Sequence, residues 1–140
     1  MSARSGWFGY GGSGTPAGDA GLLILRVVAM TLLITGHGLA KMPPSEQLIG
    51  WVGGMGFPVP VLFAWLAAVT EVVFAGLVLV GLFTRPLGFW LFGYLVIVAL
   101  VPHAGDPLRD RELPILFATI GLALGLIGPG RYSIDGMRKG

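Results

Sequence analysis

The sequence predicts an all-α integral membrane protein: a bundle of four transmembrane helices with both termini on the cytoplasmic side. Composition is the first observation behind this. Of 140 residues, 54% are hydrophobic and only 11% charged, at a mean hydropathy of +0.82, whereas a soluble domain carries about a quarter charged residues. Seven acids and nine bases cannot cover a globule of this size, so lipid replaces the missing polar surface. The second observation is the set of apolar segments punctuated by proline, glycine and charge. The third is the uneven placement of the cations around them.

Helix one is expected over 20–41, where Arg26 is the only formal charge before Lys41; about twenty residues at 1.5 Å each match a hydrocarbon core of ~30 Å. Pro43 and Pro44 end it, since neither donates an amide hydrogen bond. The glycine-rich stretch from Leu48 to Phe57 reads as an amphipathic or re-entrant connector with Trp51 at the interface. Helix two is expected over 61–83, apolar except for Glu71, and stops at Thr84-Arg85-Pro86. Helix three covers 86–103, rich in Phe89, Trp90, Phe92 and Tyr94, and ends in the Pro102 to Pro107 turn. Helix four covers 112–128, with Pro114 near its first turn and Gly128-Pro129-Gly130 at its end.

The segments at the two ends are polar. Residues 1–19 are glycine-rich and carry Trp7, Phe8 and Tyr10, a flexible tail suited to an interface or a partner. The order of a cleavable signal is missing, so the first apolar segment is read as retained. The closing residues 136–140 read as a polar tail. Arg4, Arg85, Arg131, Arg138 and Lys139 lie on one side, against Lys41, Arg109 and Arg111 on the other; the larger set marks the cytoplasmic face of an inner (plasma) membrane.

Whole function classes fall away. A net charge of +2 offers no field for nucleic acid. The absence of cysteine excludes thiolate chemistry, Cys-ligated zinc and iron–sulfur clusters. There is no phosphate-binding glycine loop, no zinc-ligand set and no nucleophile beside a base. The partners expected are the lipid bilayer and other subunits of a membrane complex.

Arg26 and Glu71 are the ionisable side chains inside the spans, and a charge at the bilayer centre costs about 2.5 to 3.5 kcal/mol even on the lenient scale. With antiparallel helices, Arg26 falls roughly 10 Å and Glu71 roughly 16 Å from the inner boundary, within reach of a guanidinium. A structural ion pair, a proton or quinone site, and an Arg26 that snorkels alone beside a protonated Glu71 all satisfy this placement. His37 and His103 end two helices that run in the same direction, so they share one depth at the outer mouth. Bis-histidine haem ligation fits such a layout, as do plain interfacial turns. A quinone pocket needs polar groups for its carbonyl oxygens and an apolar slot for its tail, and His37, His103, Lys41 and Glu112 supply the former. The glycine pairs, notably Gly121 and Gly125, allow close helix approach.

Several of these residues occur in a familiar order: Arg26; Gly38-Leu39-Ala40-Lys41-Met42; Glu71 followed by Gly76, Gly81 and Thr84-Arg85; and the closing Gly128-Pro129-Gly130-Arg131-Tyr132-Ser133-Ile134-Asp135. Together they resemble the DoxX family over about residues 20–135. The resemblance implies a small four-helix membrane protein that accompanies redox partners in quinone-linked oxidase and thiosulfate-oxidation systems. The function expected is thus a quinone-linked oxidoreductase subunit that helps bind quinone or assemble the complex. It would have no independent active site, and Glu71, Arg26, His37, His103, Lys41 and Glu112 are its candidate quinone or proton residues. A purely structural accessory subunit is the alternative, and a small transporter is disfavoured by the lack of broken helices or inverted repeats.

Overall fold

The computed structural model describes residues 12–138; among them every regular element is a helix and no strand occurs. Helix α1, Pro16–Leu33, starts earlier than Ala20 because Thr15 caps it, accepting from the Gly18 amide, and Pro16 fills the first turn, where a missing N–H costs nothing. The rod continues through a π turn, Ile34–Gly38, and a 3-10 turn, Leu39–Lys41. Helix α2, Glu46–Gly54, is capped by Ser45; at 1.5 Å per residue it is about 14 Å long, too short to cross a bilayer. Helix α3, Pro60–Val69, runs through a second π turn, Thr70–Phe74, into α4, Ala75–Val80, which Gly81 ends in the left-handed region at φ 78°. Helices α5, Thr84–Leu100, α6, Leu108–Ile127, and α7, Ile134–Met137, follow.

Two rods, Pro16–Lys41 and Pro60–Val80, are long and apolar enough to cross a membrane, and only 33% of the apolar window of each is buried within the protein. A core helix of a soluble protein would hide that surface. Here Ile24, Val28 and Leu32 of α1 and Val61, Leu62 and Trp65 of α3 face outward, as lipid requires. Helix α5 is apolar but shorter. Helix α6 begins at Leu108, not near Glu112, so Arg109, Asp110, Arg111 and Glu112 form its first turns and Pro114 lies inside it.

The core runs through Met30 and Leu33 of α1, Val78 of α4, Leu91 of α5 and Leu124 of α6, each 0–2% exposed. Helices α5 and α6 meet backbone to backbone. A Cβ on Gly88 would lie 2.6 Å from the Gly121 carbonyl oxygen and 2.7 Å from the Gly125 amide, the close approach that small residues allow between membrane helices. The aromatic residues Trp7, Phe8 and Tyr10 and the topology charges Arg4 and Lys139 lie outside the described residues.

Candidate functional site

The sequence places Arg26 and Glu71 within reach of one another; the fold separates them. Arg26 is fully buried and points to the opposite end of the bundle from Glu71. Its Nε donates to the Pro129 carbonyl at 3.1 Å, Nη1 to the Leu79 carbonyl at 2.8 Å and Nη2 to the Tyr132 carbonyl at 2.6 Å. Leu79 is in the last turn of α4, whose carbonyls have no intrahelical partner. The two residues are therefore not an ion pair: α4 stops at Gly81, nearly three turns beyond Glu71, and the guanidinium caps that end.

The closing segment completes this clamp. The Asp135 amide donates to the Gly81 carbonyl at 2.9 Å. The Asp135 carboxylate accepts from the Phe83 and Thr84 amides, each at 3.2 Å, and so caps the start of α5 from a distant part of the chain. Arg85 donates to the Gly125 and Leu126 carbonyls at the end of α6, at 3.2 and 2.8 Å. Gly81 cannot carry a side chain, because a Cβ would lie 2.3 Å from that of Ser133. Of the residues that carry the family resemblance, Arg26, Gly81, Thr84-Arg85 and the segment from Gly128 to Asp135 therefore bind helix ends together.

Glu71 is 2% exposed and lies within the second π turn. Its Oε2 sits 2.6 Å from Lys41 Nζ, and its Oε1 accepts from the Tyr94 hydroxyl at 2.8 Å. Each oxygen of the carboxylate thus has a strong donor, which is what lets an acid reside at this depth. The first π turn packs on the second: a Cβ at Gly38 would lie 2.6 Å from the Glu71 carbonyl oxygen. A π turn widens a helix and reorients the side chains it carries, and here it brings His37 and Lys41 to the Glu71 side. The Thr70 hydroxyl accepts from Trp90 Nε1 at 3.0 Å, which ties the second turn to α5.

These groups border a cavity of about 590 Å³ with a largely apolar lining, which includes Leu33, Trp51, Phe63, Trp90 and Phe117 beside Lys41, Glu71 and Tyr94. His37 lines it with its ring edge-on to Phe117, centroids 6.3 Å apart. His103 lines it from the α5–α6 turn, with Nδ1 2.7 Å from Asp106 Oδ2, and Arg111 fixes that turn by donating to the His103 carbonyl at 2.8 Å. The connector α2 contributes Trp51, which faces the cavity. Glu112 and Asp110 are both exposed, but only Asp110 lines the cavity. With α6 starting at Leu108, the helical rotation sets Asp110 at the cavity border and Glu112 away from it. Tyr94 was legible only as one aromatic residue among several; the signal for its role is that a phenol within an apolar helix needs a partner for its hydroxyl.

Such a chain, with outward-facing apolar rods and a buried acid bordering an apolar cavity, is a membrane protein. It belongs to the DoxX family, whose family model matches residues 21–104. It is 30% identical over 123 residues to the inner membrane protein YphA of Escherichia coli (strain K12), a match covering 81% of this chain and 88% of that protein. No solved structure matches it.

Proposed function

We propose that the chain crosses an inner (plasma) membrane four times, with both termini cytoplasmic, and serves as a quinone-binding subunit of an oxidoreductase complex. The surplus of cations at the Arg26 end supports that orientation, and the name of the relative supports that membrane. The observation that carries the functional reading is the Lys41–Glu71–Tyr94 triad bordering an apolar cavity. The volume of about 590 Å³ lies within the range of small-molecule sites, roughly 300–1,000 Å³. A quinone fits this lining: the aromatic walls take a flat ring and a tail, while Lys41, Tyr94, His37 and His103 offer donors to carbonyl oxygens.

A bound quinone would supply the electron-accepting chemistry, and a partner subunit would supply the electrons. The residues of this chain bind, orient and handle protons. The Lys41 ammonium favours negative charge beside it; Glu71 holds or accepts a proton; Tyr94 fixes the rotamer of the carboxylate. The largely apolar walls lower the dielectric around these charges, and a quinone seated there would displace water from them.

Mass spectrometry of the protein, isolated from its native membrane in mild detergent, tests this before and after Glu71→Gln. Quinone and redox subunits are expected with the natural chain, and loss of quinone with retention of partners in the variant. Partners without quinone, or neither, would make the chain a structural accessory.

A further inference from the structure

We infer that Glu71 exchanges protons with one face of the membrane only, the face that carries His37 and His103, with Lys41 as the group through which the exchange passes. This deepens the reading of the same cavity and rests on it for biological purpose, but not on any bound ligand. The asymmetry is built into the two ends of the bundle. Between Glu71 and the Arg26 end lie Met30, Ala75, Val78, Leu91 and Leu124, each 0% exposed, a layer too closely packed for water. Beyond them the backbone carbonyls of Leu79, Pro129 and Tyr132 are occupied by the guanidinium. Among the described residues, that packed layer holds no polar side chain to carry a proton.

Towards the other face the carriers follow one another. The Glu71 carboxylate, 3% exposed, touches Lys41, whose side chain is 26% exposed. Lys41 borders a cavity that also reaches His37, His103 and Asp110. The charged or titratable groups around Glu71 are Lys41 from the 3-10 turn Leu39–Lys41 and Tyr94 from α5. Those further along the cavity are His37 from the first π turn, His103 from the α5–α6 turn and Asp110 from α6. Exchange through Lys41 needs no rearrangement of the packed layer: the ammonium turns from the carboxylate to cavity water and back, within the freedom of a four-carbon stem.

Reconstitution of the full chain in vesicles of phosphatidylethanolamine and phosphatidylglycerol, with no quinone, tests this. The natural lack of cysteine allows a single Gly105→Cys change in the exposed α5–α6 turn to report orientation with an impermeant maleimide. Dicyclohexylcarbodiimide dissolves in lipid and adds to a carboxyl only when that carboxyl is protonated. The adduct appears either as the N-acylurea or, after attack by the Lys41 amine with release of dicyclohexylurea, as a Glu71–Lys41 amide. Mass spectrometry counts both, with Glu71→Gln as the blank.

The two compartments are set to different pH values. The labelling rate is expected to rise several-fold as the pH of the His103 face is lowered, and to ignore the pH of the Arg26 face. In Lys41→Met the dependence on the His103-side pH should fall at least several-fold. Labelling that follows the Arg26-side pH, follows both equally, or never occurs would overturn the proposal. A chain that passes this test yet retains no quinone would refute only the preceding reading.

Discussion

Arg26→Met separates the two networks most sharply. Methionine keeps much of the length and all of the apolar stem of the arginine, so the packing against α4 survives while the guanidinium is lost. Three buried or half-buried carbonyls, those of Leu79, Pro129 and Tyr132, then lose donors at 2.8, 3.1 and 2.6 Å. An unsatisfied buried acceptor costs about 1–3 kcal/mol, for a gross loss of about 3–9 kcal/mol. Relief from keeping a cation out of water offsets part of this, which leaves a net loss of about 3–5 kcal/mol, the scale for breaking a buried charged network. For a chain of this size that is a fall in Tm on the order of 10 °C. Thermal unfolding in mild detergent, followed by tryptophan fluorescence, measures it, and quinone retained per protein in the cold measures the site. The expected outcome is a large fall in Tm with quinone retention unchanged. An unaltered Tm together with loss of quinone would show that Arg26 serves the cavity, and would refute the assignment of this end as a clamp.

Other perturbations follow from the same contacts. Tyr94→Phe removes the hydroxyl that holds Glu71 Oε1; stability should fall by about 1 kcal/mol, while quinone affinity in a titration should drop about tenfold, equal to ~1.4 kcal/mol. Gly38→Ala sets a methyl against the Glu71 backbone, forcing the two π turns apart; quinone should be lost along with about 2 kcal/mol of stability, the scale of overpacking. Gly88→Ala does the same between α5 and α6 at the other end, so Tm should fall by a similar amount with less effect on quinone. Asp135→Ala uncaps α5 and should cost about 1–2 kcal/mol, visible as earlier proteolysis of the closing segment.

How much of this was legible depends on whether the relevant physics is local. The hydropathy of 61–83, the prolines after Lys41 and the glycine-rich break at residues 128–130 mark helices and their ends because each acts within one turn. The single acid and base inside the first two apolar stretches announce that something must compensate them. Which partner does so is a matter of rotation and depth, and a π turn changes rotation by adding one residue to a turn. That addition, at Ile34–Gly38 and again at Thr70–Phe74, directs Glu71 to Lys41 and leaves Arg26 to the helix ends. The same dependence on register set Asp110 at the cavity border and Glu112 away from it.

The sequence by itself determined that this chain lives in lipid, that its helices sit close at glycines, and that Glu71 must find a partner; composition, length and the cost of burying charge suffice for those. Only the tertiary structure decided that the DoxX pattern divides in two. One half joins helix ends through Arg26, Arg85 and Asp135, and the other sets Lys41, Glu71 and Tyr94 beside a cavity. Both halves look alike in one dimension, because a charged side chain in an apolar helix has the same cost wherever its partner comes from, and the partner is fixed by contacts more than a hundred residues away.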